Sequence, residues 1–177
     1  MFDNVLITGL TPLDSYPRNG CKEFYKQVIQ DTTLCIPSQK PDIESVNELK
    51  VSICLDSFKI INTVLGPKLI VEGTKFIKVI YTADNCQQSL HSAHWEVPFC
   101  EFILMKDLSY DKCLKSIDDV YIGVEEACVR CFTKRSVDIS LIFVLCPMIK
   151  KDCYSHDPCG SYEPCRKHKI TKRGYCN

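Results

Sequence analysis

Residues 69–105 read LIVEGTKFIKVIYTADNCQQSLHSAHWEVPFCEFILM, and two alternating runs inside this stretch decide the fold. Between Leu90 and Phe99 the side chains Ala93, Trp95, Val97 and Phe99 alternate with Ser92, His94, Glu96 and Pro98, which is the period of a half-buried β-strand. Upstream, Leu69, Val71, Ile77, Val79 and Tyr81 share one parity, with Glu72, Thr74 and Lys78 interposed, so a second strand with one wet side precedes the first. The connection from Thr82 to Gln88 is polar and turn-prone. After Phe99 the apolar parity passes to Phe102 and Leu104. That predicts a β-bulge near Pro98–Glu101, because one extra residue reverses the alternation.

Working outward, Leu49 to Val64 alternates through Val51, Ile53 and Leu55 and predicts a long strand, with Gly66-Pro67 as the hairpin turn into Leu69. Pro37 and Pro41 force a non-helical crossing upstream, and residues 42–48 are read as a turn or short helix. The pattern of CKEFYKQVIQDTTLCI, residues 21–36, fits a helical face or an extended run equally well. Met1–Gly20, broken by Pro12 and Pro17, is a short first strand or an arm able to add to a neighbour's sheet edge. Downstream, Lys106–Asp118 is a charged connector, and Val120–Phe132 with Val137–Cys146 forms a final hairpin across Thr133–Ser136. The Val, Ile, Leu and Phe content of its second strand predicts a central or doubly covered position. The expected fold is all-β: an antiparallel β-sandwich or open barrel of about six or more strands, followed by an irregular Cys-rich tail. Three regions follow, an arm at 1–20, a β domain at 21–147 and the tail at 148–177.

The chain has 177 residues, 45% of them hydrophobic and 25% charged, ordinary values for a globular domain. No apolar run reaches the roughly 20 residues of a membrane span. The first ten residues lack the pattern of a signal peptide, so synthesis in a cytoplasm without export and no membrane insertion are expected. Thirteen cysteines conflict with a permanently reducing location. Their odd number means that complete oxidation would leave at least one to pair outside its own chain. Disulfide candidates are Cys21, Cys35, Cys86, Cys113, Cys146, Cys153, Cys159, Cys165 and Cys176, while Cys54 and Cys100 also fit as small buried apolar residues. Net charge is zero, but Met148–Asn177 holds seven basic and three acidic side chains, a net of +4 that leaves −4 on the body. Such a tail can meet an anionic surface or dock on the next copy of the same body.

The tail is also the weak metal candidate: Cys153, His156, Cys159, Cys165 and His168 are soft or borderline ligands. A set of disulfides, or free thiols, explains the same residues. Cys128 and Cys131 form a C-x2-C on a strand, where residues three apart point to opposite faces unless a bulge intervenes. His91 and His94 likewise face opposite ways, and Glu125 and Glu126 diverge. No Gly-rich phosphate loop, nucleophile elbow or pair of convergent carboxylates is present, so no enzyme activity and no cofactor are expected. The run Arg166-Lys167-His168-Lys169 beside Tyr162 and Tyr175 is too short and cysteine-crowded for a nucleic-acid site, and no nucleic-acid partner is expected.

Val71-Glu72-Gly73, the run ending in Ile80-Tyr81, and His91-Ser-Ala-His-Trp-Glu-Val-Pro-Phe-Cys100, together with Leu34-Cys-Ile-Pro37 and Pro41-Asp42-Ile43, strongly resemble the SPOCS domain of spore-coat and spore-morphogenesis proteins of anaerobic spore-forming bacteria. The resemblance covers about residues 23–147 and favours a strand for the ambiguous 21–36 segment. It implies a non-enzymatic structural protein of the spore surface, in coat, exosporium or an appendage. The odd and abundant cysteines independently imply cross-linking between copies. Partners would be other copies of the chain and other coat proteins. The alternatives are a morphogenetic adaptor that recruits another coat protein or, further off, a zinc-binding regulatory protein.

Overall fold

The computed structural model describes residues 4–18, 24–105 and 117–149. Seven strands run through them: β1 (Leu6–Thr8), β2 (Lys26–Cys35), β3 (Ile43–Thr63), β4 (Gly66–Ala83), β5 (Leu90–Leu104), β6 (Ile117–Phe132) and β7 (Ser136–Ile149). One sheet has the order β1-β3-β4-β5 and the other β2-β7-β6. Every pairing is antiparallel except that of β1, which lies parallel to β3 with Leu6 opposite Glu48. Leu13–Ser15 forms a short 3-10 turn. The two sheets stack as an open sandwich, so the barrel alternative is not realised.

Period-two alternation builds the core. Leu69, Val71, Ile77, Val79 and Tyr81 are all at most 1% exposed, and they meet β7 residues Val137, Ile139, Leu141, Phe143 and Leu145 from the other sheet. Each such buried aliphatic or aromatic side chain stabilises by about 1.5–3 kcal/mol relative to exposure. Phe99 packs edge-on against Phe143 at 5.1 Å between ring centroids. Its ring passes over Gly73, where an added Cβ would lie 2.5 Å from both the ring and the Cys54 carbonyl oxygen. β7 is the central strand of its sheet, as its composition predicts.

The structure corrects several local expectations. No bulge interrupts β5: its ladder with β4 runs without a shift from Lys68–Leu104 to Thr82–Leu90. Phe102 is simply an exposed aromatic, with the ammonium groups of Lys26 and Lys68 at 4.7 and 4.5 Å from its ring centroid, and this cation–π pairing supports an aromatic side chain on a wet face. Residues 43–48 are strand, not turn or helix. Ile43, Val46 and Leu49 all point inward because bulges between Ile43 and Ser45 and between Val46 and Glu48 each insert a residue, so a spacing of three arises inside a strand. The β3–β4 turn falls at Val64-Leu65, with Gly66 at φ +106 opening β4.

The N-terminal segment is a first strand on its own β3. It ends at Gly9, whose φ is +95 and where a Cβ would sit 1.8 Å from the Val51 carbonyl oxygen, so only glycine fits. The chain then crosses to the second sheet. Thr11 donates its N–H to the Val124 carbonyl at 2.8 Å, and its Oγ1 accepts the Val124 N–H at 2.9 Å. Tyr16 lies over Gly123, close enough that a Cβ there would meet its ring at 2.6 Å, and touches Tyr121 edge-on at 5.9 Å. Val144 and Cys146, which alternation turns outward, are buried beside this covering.

Candidate assembly surface

Two polar junctions fix the sandwich. At one pole Arg135, in the β6–β7 turn, donates to the carbonyls of Lys40, Ile36 and Pro37 and to the Asp42 carboxylate, at 2.7 to 3.1 Å. The Tyr81 hydroxyl donates to the Pro41 carbonyl at 3.1 Å, and Ile43 N–H donates to the Lys134 carbonyl at 2.9 Å. The Pro41-Asp42-Ile43 motif is therefore the crossing from one sheet to the other, locked from both sides. Between the sheets, Lys75 takes an inward position on β4 and is 3% exposed. Its ammonium donates to Gln30 Oε1 at 2.5 Å, Gln30 Nε2 donates to Glu101 at 3.1 Å, and Lys26 pairs with Glu101 at 2.9 Å. Burial lowers the Lys75 pKa, with Glu101 opposing that shift. The sequence carried a signal for this cluster, a lysine in the apolar parity of β4 between Val71 and Ile77; Arg135 carried none.

Among the described cysteines, Cys35 at the end of β2, Cys86 in the β4–β5 turn, Cys100 on β5 and Cys131 on β6 are exposed free thiols. Cys128 is partly covered, and Cys146 is buried. Cys54 is not among the free thiols. Burial pushes the Cys146 thiol up to about 11, against a hydrogen bond from Tyr25 that pulls it down. Cys21, Cys113, Cys153, His156, Cys159, Cys165, His168 and Cys176 lie outside the described residues. Within those residues no three His, Cys, Asp or Glu side chains are grouped to hold a metal.

The C-x2-C geometry differs from the straight-strand expectation. A bulge between Val129 and Cys131 places Cys128 opposite Ser140 and Cys131 opposite Asp138, two residues apart on β7, so both thiols face outward. Cys131 Sγ donates to Asp138 Oδ2 at 2.8 Å. That bond raises the thiol pKa and lowers the carboxyl one. A second bulge, between Val124 and Glu126, turns both Glu125 and Glu126 outward instead of letting them diverge, and both are exposed. His91 and His94 keep opposite faces: His91 lies tilted beside Tyr81 at 6.0 Å, and His94 is exposed.

The sheet edges differ in how they are protected. β6 is interrupted by shifts at Ile117–Asp119, Val124–Glu126 and Val129–Cys131, and Thr11 takes up both backbone groups of Val124. β3 is paired with β1 only over Glu48–Lys50, and the rest of its edge carries a bulge between Leu55 and Ser57 and the exposed Lys59. β5 carries Pro98, which has no N–H to offer. β2 runs ten residues in unbroken register with β7 and has no second neighbour among the described strands.

Two open sheets, antiparallel but for β1, with thiols and backbone edges on the surface, define a β-sandwich whose chemistry lies on its outside. Residues 42–127, just under half of the chain, match the family model for SipL, SPOCS domain, so this stretch is a SPOCS-type domain, which suggests a link to the spore coat. The match runs from the start of β3 to Ala127 in β6, narrower than the stretch over which the resemblance is legible. Neither the curated proteins nor the solved structures contain a match.

Proposed function

We propose that this protein is a structural, self-assembling component of the bacterial spore surface, in coat, exosporium or a surface appendage, with copies joined by sheet-edge contacts and then by disulfides between chains. The SPOCS match over residues 42–127 supports an association with the spore coat. The observation that carries the finer reading is the set of exposed thiols at Cys35, Cys86, Cys100 and Cys131, spread over separate strands and turns, where each can meet a thiol of a neighbour. In each link two thiols lose two protons and two electrons and form one S–S bond, dioxygen accepting both and leaving as hydrogen peroxide. Between subunits such bonds prevent dissociation.

The test is electrophoresis and negative-stain microscopy of the full chain after air oxidation, with and without reductant. A ladder of multimers that collapses on reduction, and loses rungs when Cys35, Cys86 and Cys100 are changed to serine, is the expected result. A chain that stays monomeric through oxidation at high concentration overturns the reading, and leaves the adaptor role in its place.

A further inference from the structure

We propose that β2 is the non-covalent docking edge, and that it pairs antiparallel with β2 of a second copy across a two-fold axis at Ile29. The inference rests on the self-association reading above and names the surface through which it begins.

The direction of the backbone groups follows from one bond. Ile36 donates its N–H to the Arg135 carbonyl, toward β7, at 2.8 Å. Backbone groups alternate sides along an antiparallel strand, so residues 28, 30, 32 and 34 also face β7, while Gln27, Ile29, Asp31 and Thr33 turn their N–H and C=O to the open edge. At the end of the strand Cys35 follows the same rule, its carbonyl accepting the Trp95 indole N–H at 3.0 Å. Between Lys26 and Cys35 the edge has no proline, no bulge and no outward-facing lysine. Those are the devices by which sheet edges avoid pairing, and β5 and β6 have them. Lys26 turns inward to Glu101 and the Phe102 carbonyl.

The edge is also self-complementary. A two-fold at Ile29 sets Ile29, 66% exposed in the isolated chain, against its own copy on the outer face. It places Gln27 opposite the partner's Asp31; in its own chain the Gln27 amide donates to Glu125 and Asp31 pairs with Arg130, so this cross-strand pair would use the second amide N–H and the free carboxylate oxygen. The three outward pairs supply about six backbone hydrogen bonds and extend the three-stranded sheet to a six-stranded one. A two-fold contact uses one patch on both subunits and closes on itself, which leaves the thiols elsewhere on the body to link dimers into larger assemblies.

The test uses the full chain under dithiol reductant, so that no disulfide contributes, followed by sedimentation velocity up to about 100 µM, where a contact of modest affinity registers. Wild type is expected to associate reversibly. Ile29→Lys and Ile29→Glu each set like charges face to face on the axis and weaken association about tenfold or more, with unchanged circular dichroism because Ile29 is exposed. An equimolar mixture of the two variants restores association, since Lys then faces Glu. Reduced wild type that stays monomeric, a lysine variant that associates like wild type, or a mixture that fails to recover overturns the proposal. Wild type that is monomeric when reduced but multimeric when oxidised sinks the β2 edge alone, whereas wild type monomeric in both states sinks the proposed function as well.

Discussion

Burial and partnering separate thiols that the sequence presents as equivalents. Cys131 is exposed, yet its proton is held by Asp138, so Asp138→Asn should lower the Cys131 pKa and speed its alkylation at a fixed pH near 8, read by peptide mass spectrometry, while unchanged labelling would separate the two groups. Cys146 obeys a different constraint. Its folded pKa lies near 11 against 9.0 for the unfolded thiol, so the folded state favours the protonated form. The associated stability is complete below pH 9 and is lost as pH rises from 9 to 11, when only the unfolded chain ionises freely. About 2–3 kcal/mol belongs to this step. In Cys146→Val that loss disappears, whereas the losses from Tyr16, Tyr81 and Tyr121, which burial also raises, stay in both proteins. Denaturant titrations across pH 8–11 should therefore show the two stabilities converging, and parallel curves would mean that Cys146 ionises normally in the fold.

The bulges decide what each strand does. In β3 they turn Ile43, Val46 and Leu49 to the core despite a spacing of three, and in β6 they turn Cys128 with Cys131, and Glu125 with Glu126, to one outer face. An edge strand leaves alternate N–H groups without a ladder partner, and at Val124 on the edge strand β6 the Thr11 hydroxyl supplies the acceptor. Thr11→Val keeps the shape and removes that acceptor, so it should destabilise by about 1–3 kcal/mol through an unsatisfied buried donor. Hydrogen exchange at Val124 should accelerate with it. Unchanged protection at Val124 would mean that the crossing segment does not hold this edge. The two bulges at Ile43–Ser45 and Val46–Glu48 are invisible to pattern reading because an inserted residue looks the same as a change of period. Phe102 misleads in the opposite sense, as an apolar residue whose two cationic neighbours come from β2 and β4.

At the scale of the whole molecule, the sheets are joined by apolar packing, by Arg135 at one pole and by Lys75–Gln30–Glu101–Lys26 along the β2–β5 side. Gln30→Leu would leave the Lys75 ammonium buried without its acceptor, at a cost of about 2–4 kcal/mol near neutral pH. Lys75 has a folded pKa below its usual 10.5, so the folded state favours the neutral amine and this cost shrinks as pH rises toward 10.5. A penalty that stays constant from pH 7 to 10 would show that Gln30 acts through packing and not through the ammonium. The same side of the sandwich carries the open edge of β2, so loss of this cluster would also loosen the strand through which copies are proposed to meet.

Local alternation determined that the chain is all-β, which residues of β4 face the core, and where the final hairpin turns, because a period of two is set by the strand backbone itself; only the structure chose the sandwich over the open barrel. The resemblance legible at Pro41–Ile43 and His91–Cys100 determined the SPOCS assignment. Tertiary structure alone decided which thiols are exposed, which edge is unguarded and how a lysine can sit between the sheets. Those properties depend on which distant residues arrive alongside, Thr11 at Val124, Asp138 at Cys131 and Gln30 at Lys75, and on bulges that reset the face of every residue after them.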